Sequence, residues 1–193
     1  MAFYSKQELL NLGFFSVGEN PMISSRASFY GCSRIVIGDH VRIDDFCILS
    51  AGEGGIELGS YIHLAVYSSI IGAGKVHIHD FCNISSRVSI YSSNDDYSGE
   101  FMTNPMVCEL YTNVTHGPVI LNKHVIVGAG SVILPNVTIG LGGAIGALSL
   151  VNSSLNPLGI YAGQPVKYIK ARKENFLELE AQFIKSKYNQ GIN

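Results

Sequence analysis

The sequence is poor in charge. Lys, Arg, Asp and Glu together make up 15 % of its 193 residues, and the formal net charge is −2. No basic cluster with interleaved aromatics occurs, which argues against a nucleic-acid-binding surface. No apolar run approaches the roughly 18 residues of a membrane span, and the opening MAFYSKQELL has no apolar signal-peptide core. The expectation is therefore a soluble, cytoplasmic protein. Paired cysteines are missing too. Cys32, Cys47, Cys82 and Cys108 form no CxxC, which disfavours a zinc site and points to reduced thiols.

What the chain does have is glycine, 21 residues of it, and a period of six. The clearest stretch is LNKHVI VGAGSV ILPNVT IGLGGA IGALSL VN. Its hexads are led by Leu121, Val127, Ile133, Ile139, Ile145 and Val151. Four residues after the lead come Val125, Ser131, Val137, Gly143 and Ser149. The same rule recovers Ile23 with Ala27, Ile37 with Val41, Ile43 with Cys47, Leu64 with Ser68, Ile78 with Cys82 and Ile84 with Val88. A period of six fits neither a helix nor a lone alternating strand. It fits a short strand and a corner, repeated, with three hexads to a triangular coil. Val127 should then stack on Ile145, and Ile133 on Val151. Glycine after the lead, as in VGAG and IGLG, is expected to relieve the backbone. Coils of this kind share one core and cannot stand singly.

The fold expected is all-β: a left-handed parallel β-helix over residues 21–165. A helical segment over 1–20 precedes it, and a basic segment with a helix over 166–193 follows. Ser5 with Glu8 reads as a capping box opening a helix at Lys6–Leu10. Phe176, Leu177, Leu179, Phe183 and Ile184 suggest an amphipathic helix at about 173–187. The period breaks near 52–57, near 72–76 and, at length, over about 91–117. An insertion that long without a period of its own is usually a functional loop or disordered, and its polar and aromatic residues on one corner of a rigid prism favour function.

VGAGSVILPNVTIG, IGALSLV and the ending GIYAGQPVKYIKAR resemble the hexapeptide-repeat acyltransferases, and the likeness covers nearly the whole chain. VRIDDFCILSAGEG and SSNDDYSGEFMTNP resemble the branch that acylates nucleotide-linked amino-deoxy sugars, such as dTDP-4-amino-4,6-dideoxyglucose, for surface polysaccharides, including the O-antigen of lipopolysaccharide. The resemblance implies a homotrimer with active sites between subunits, and acetyl-CoA or another acyl-CoA as co-substrate. It implies that the pantetheine arm lies against Ala129, Ser131 and Ala147. It also places Pro165, Lys167, Lys170 and Arg172 near the CoA phosphates, where lysine and arginine suit the charge.

Many members of this family carry a histidine base in the long loop. Here no histidine lies between His79 and His116, and the loop offers Asp95, Asp96 and Glu100 instead. A hydroxyl acceptor needs a base more than an amine does. Carboxylates suit the gripping and aligning of an amine. The expectation is an N-acyltransferase in which Asp96 and Glu100, with Asp95, bind the acceptor, Ser86 and Tyr97 contact it, and the leaving thiolate takes the proton. An O-acetyltransferase with His116 as base is the rival, and a non-catalytic sugar-binding β-helix another. No metal is expected, because the histidine spacing does not reproduce the three-histidine zinc site of β-helix carbonic anhydrases.

Overall fold

A computed structural model describes residues 2–189. Each hexad contributes a two- to four-residue strand, and every third strand pairs in parallel with the one a coil earlier. Three stacked sheets result. The first runs from Ser16–Val17 through Ile35–Ile37, Ile56–Leu58, Val76–Ile78 and Val119–Leu121 to Val137–Ile139. The second starts at Met22–Ile23 and ends in an antiparallel hairpin, Gly159–Gly163 with Val166–Ala171. The third runs from Ser28–Tyr30 to Leu150–Val151. Together they wind a left-handed parallel β-helix. It begins at Ser16 and its second sheet continues to Ala171, somewhat beyond the 21–165 expected from the repeat.

The lead aliphatics point inward and are all but fully buried, and the small fifth residues are buried behind them. Val127 pairs with Ile145 and Ile133 with Val151, as the period requires. β-Branched side chains suit such a surface because their stiff χ1 costs little in a strand. Buried serines at the fifth place are satisfied by neighbouring coils. Ser68 donates to Ser85 O at 2.9 Å and Ser131 to Gly146 O at 3.0 Å.

The glycine expectation needs correction. The left-handed residue of each corner is the fourth of the hexad, not the glycine at the second. His40, Phe46, Tyr61, Tyr67, Phe81, Arg87, His124 and Leu148 all hold positive φ there. The second-place glycines are needed for space: a Cβ on Gly38 would lie 2.5 Å from Gly59 O in the next coil.

A left-handed conformation costs a residue with a Cβ about 1–2 kcal/mol. Stacking offsets it. At the corner between the first and second sheets, His40, Tyr61, Phe81 and His124 form a ladder with centroid steps of 4.8, 4.9 and 5.0 Å. Those steps match the spacing of paired strands, so each coil places its ring on the next.

Helix α1, Lys6–Asn11, carries the complete Ser5–Glu8 capping box and sinks Leu9 into the core, closing the first coil. Helix α2, Asn175–Asn189, lies along the aromatic ladder. Phe183 meets Tyr61 and Phe81 edge-on, at 5.3 and 6.3 Å, and Phe176 packs on His124 at 4.7 Å. Glu180 accepts from Lys123 at 2.8 Å and shares a 2.6 Å hydrogen bond with His124. Residues 176, 180, 183 and 187 thus form one face of the helix. Residues 190–193 of the expected C-terminal segment lie outside the described residues.

Candidate functional site

All three breaks in the period fall on one corner, between the third and first sheets. The two short ones widen it. The long one leaves after Tyr91 and returns at Val119, and Leu121 still lands directly over Ile78. The loop's base is an antiparallel bridge, Ser93–Asn94 with Thr115–His116, and Gly117 N donates to Ser92 O at 3.0 Å. The Ser93 hydroxyl accepts from Ala73 N at 2.7 Å and shares a 2.7 Å hydrogen bond with His116 Nδ1. His116 therefore helps anchor the loop to the prism.

Further out, the loop turns on Asp96. Its carboxylate accepts from the Ser98 hydroxyl at 2.9 and 3.0 Å and from Gly99 N at 3.1 Å. Ser98 Oγ accepts in turn from Glu100 N at 3.1 Å. Asp96 is half-buried and oriented by its own turn, whereas Asp95, Tyr97 and Glu100 are exposed. Under the loop, Arg34, Gly52, Glu53, Gly54, Ala73, Glu109 and His116 line an open groove of about 900 Å³. Arg34 is spent on the fold there, since its guanidinium donates to Ala51 O and Gly52 O, each at 2.7 Å.

A second group of expected residues gathers on the corner between the second and third sheets. Ser86, Ala129 and Ala147 stack one above another. Gly130 N donates to Ser86 O at 3.0 Å, and Leu148 N to Ala129 O at 2.9 Å. Ala129 and Ala147 are exposed. Ser131 is not, and its hydroxyl serves the next coil, so only its backbone faces this edge. Pro165, Lys167 and Lys170 lie exposed on the closing hairpin, with Pro165 following a cis peptide bond. Arg172 is different. Its guanidinium donates to His124 O at 2.8 Å and Gly142 O at 2.9 Å and lies 4.7 Å over the Phe176 ring. It clamps α2 to the prism, and burial lowers its pKa. Arg172 is therefore committed to the fold rather than offered to a phosphate.

One chain thus holds the acidic loop and the small-residue edge on opposite borders of its third sheet. Neither group faces the other within the chain.

Sequence reasoning passed over two sets of residues. One is a stack of Arg26, Phe46, Tyr67 and Arg87 on the same corner as Ser86. The other is Asp44, a buried carboxylate between Arg42 Nε at 2.7 Å and His63 Nε2 at 2.8 Å. Burial acts to raise the Asp44 pKa, but the hydrogen bonds from His63 and Arg42 outweigh it and hold it low. The fourth place of successive hexads, read as a column, would have revealed the first set. His63 itself lies in the strand His63–Leu64.

A three-cornered parallel coil with one long polar loop standing on a corner is the form of the left-handed β-helix acyltransferases. No family model matches the chain. The dTDP-4-amino-4,6-dideoxy-D-glucose acyltransferase of Escherichia coli is 56 % identical over 183 residues, 95 % of either chain. AntD, an N-acyltransferase from Bacillus cereus, is 50 % identical and superposes with a TM-score of 0.92 over 95 % of this chain and 97 % of that one. AntD has been solved in complex with dTDP-4-amino-4,6-dideoxyglucose and coenzyme A, and with dTDP and 3-hydroxybutyryl-CoA. Several of those structures carry a substitution at one serine, or at one aspartate ten positions later. A hexapeptide-repeat acetyltransferase from Vibrio cholerae, at 17 % identity and a TM-score of 0.57 over 88 % of this chain and 80 % of that one, shares the fold alone. The chain belongs to the family of dTDP-4-amino-4,6-dideoxyglucose acyltransferases.

Proposed function

We propose that this enzyme transfers an acyl group from acyl-CoA to the 4-amino group of a dTDP-linked 4-amino-4,6-dideoxy sugar. The observation that carries the reading is the near full-length similarity to two such enzymes, joined to a loop whose outer turn clusters the carboxylates of Asp95, Asp96 and Glu100, with no histidine before its base.

The neutral amine attacks the thioester carbonyl, a C–N bond forms, and the C–S bond breaks. The departing thiolate takes the ammonium proton, leaving an amide and free CoA. A base of high strength is unnecessary for this step. What the protein must supply is orientation. Asp96, preset by its own turn, receives the amine, and Glu100 and Asp95 hold ring hydroxyls or the amine's remaining N–H. Tyr97 packs on the sugar. Ser86 meets the acceptor at the prism edge. Ser86 and Asp96 keep the spacing of the two substituted positions in AntD, as do their neighbours Ser85 and Asp95. Ala129, Ala147 and the backbone of Ser131 leave room for the pantetheine arm, and Pro165, Lys167 and Lys170 border its phosphates.

The two halves meet only if a second copy brings its loop to the Ser86 edge, so the active form is a homotrimer with three sites between subunits. The loop supports this. It exposes Tyr97, Met106 and Leu110 at 87, 92 and 85 %, along with Met102 and Tyr111, which an isolated chain would leave in water. The reaction belongs in the cytoplasm, where nucleotide sugars of surface polysaccharides are made. Among the described residues no helix is long and apolar enough to cross a membrane.

The test is thiol release from acetyl-CoA with dTDP-4-amino-4,6-dideoxyglucose, with galactosides, and with no acceptor. Release is expected with the amino sugar alone. It should fall about a hundredfold in Asp96→Asn, the scale of a lost orienting group. Release with hydroxyl sugars only, abolished by His116→Ala, would overturn the reading.

A further inference from the structure

The two short breaks in the period stack directly beneath the root of the long loop, and they do so closely. A Cβ on Gly52 would lie 2.5 Å from Ala73 Cα, and one on Gly54 would strike Lys75 N. In the next coil a Cβ on Gly72 would strike Ser92 Oγ and lie 2.7 Å from Ser93 N, and one on Gly74 would strike Gly117 O. The first break therefore presses its backbone on the second. The second presses on the loop where it leaves, at Ser92 and Ser93, and where it returns, at Gly117.

A column of hydrogen bonds climbs the same corner. The Arg34 guanidinium donates to Gly52 O at 2.7 Å. Gly52 N donates to Gly72 O at 3.0 Å, and Gly54 N to Ala73 O at 2.8 Å. Ala73 N donates to Ser93 Oγ at 2.7 Å, and Ser93 Oγ shares its 2.7 Å bond with His116 Nδ1 on the returning strand. The Ser93 hydroxyl is thereby tied at once to the coil below and to the far side of the loop.

Beyond Ser93 the lever is short. Asn94 pairs with Thr115, and its side chain donates to Asp95 O at 3.2 Å. Asp96 follows, fixed by the bonds from Ser98 and Gly99. Three residues of extended chain span roughly 10 Å, so a tilt of about 10° at Ser93 moves Asp96 by about 2 Å. A misplacement of about 1 Å can cost a reaction on the order of a hundredfold.

We propose that Ser93 is a positioning residue: its hydroxyl, seated on the turn at 72–74, sets the angle at which the loop presents Asp96 to the amine. It acts through Asp96 and touches neither substrate. This rests on Asp96 receiving the amine, the role given to it above. The two short breaks then have a use, as the footing of the loop.

The test makes Ser93→Ala and Ser93→Thr, each alone and together with Asp96→Asn. kcat and KM are measured for dTDP-4-amino-4,6-dideoxyglucose, and acetyl-CoA affinity is titrated directly. Ser93→Ala is expected to lower kcat/KM for the amino sugar about tenfold, the scale of one lost hydrogen bond that orients a reacting group. Acetyl-CoA affinity should hold, because the edge of Ala129 and Ala147 lies on the other border of the third sheet. Ser93→Thr keeps the hydroxyl and should recover most of the loss. With Asp96→Asn already present, Ser93→Ala should cost less than about twofold more, since the group it places has lost its charge.

Unchanged kcat/KM in Ser93→Ala would overturn the assignment. So would an equal factor of loss in both backgrounds, or a matching loss of acetyl-CoA affinity, the marks of a merely structural role. Full activity in Asp96→Asn would overturn the role of Asp96 itself, and this assignment with it. A loss in Asp96→Asn to which Ser93→Ala adds in full overturns this assignment alone.

Discussion

Asp96 holds its place through three hydrogen bonds from its own turn, and His116 through one bond to Ser93. That difference sets what substitution should do at each. Asp96→Asn keeps an acceptor for the turn but loses the charge proposed to receive the amine, so the chain should melt near its usual temperature while turnover drops. His116→Ala loosens the loop base, and its main effect should be on acceptor KM; a collapse of kcat at unchanged KM would instead make it a base.

The cysteines separate in the same way. Burial pushes the Cys47 thiol up to about 11 and the Cys82 thiol up to about 12. Cys47 donates to Ala65 O at 3.1 Å and Cys82 to Asn122 O at 3.2 Å. At pH 8 a thiol reagent should label exposed Cys108 and leave Cys47 and Cys82 unmodified until the chain unfolds. Mass spectrometry of labelled peptides checks this. The core role of these two cysteines was legible in the sequence because they occupy fifth places of hexads. The stack of Arg26, Phe46, Tyr67 and Arg87 was not, because the period was read for its apolar places. The fourth place shows its pattern only when residues a coil apart are aligned.

At the scale of elements, α2 shows what a repeat-based reading leaves out. Its amphipathic face was visible in Phe176 and Phe183, but its seat was not. The seat is the ladder of His40, Tyr61, Phe81 and His124, which no local window brings together. Lys187 completes the contact, donating to Tyr61 Oη at 2.7 Å and to His40 Nε2 at 3.1 Å. Phe183→Ala should cost about 1–2 kcal/mol, less than a fully buried Phe, because the ring is partly exposed. Chemical denaturation would measure it.

Docking should also respond to acid. Burial tends to raise the Glu180 pKa, but hydrogen bonds from Lys123 and His124 prevail and leave it lowered. A carboxylate depressed in the folded state stabilises fully above the unfolded value of about 4.3. That contribution is lost as pH falls through the lower folded value. Glu180→Gln should therefore lower stability at pH 7 and flatten the acid limb of the stability curve. An unchanged acid limb would show that the helix is held by its rings alone.

The whole molecule is a stack in which each coil depends on its neighbours, and a cavity in one is felt across the prism. Ile133, fully buried between Ile90 and Val151, should cost about 2–5 kcal/mol as Ile133→Ala. The coil architecture was readable because a six-residue period with three-hexad stacking leaves few alternatives. The alignment of all three breaks on one corner was not readable, since it depends on how each interruption counts against the coil. That alignment puts the loop on one border of the third sheet and Ser86 on the other. On the proposed reading a second copy completes the site, and light scattering should find a trimer of the 20.9 kDa chain.

The proposed reaction makes an amide. The most direct measurement is of the product: incubate enzyme, acetyl-CoA and dTDP-4-amino-4,6-dideoxyglucose, isolate the acylated nucleotide sugar, and treat it with mild hydroxylamine. An acetyl group that survives, with its proton NMR coupling at C4 to an amide N–H, is the expected result. An acetyl group released by hydroxylamine, or no product while hydroxyl sugars are acetylated, would contradict it.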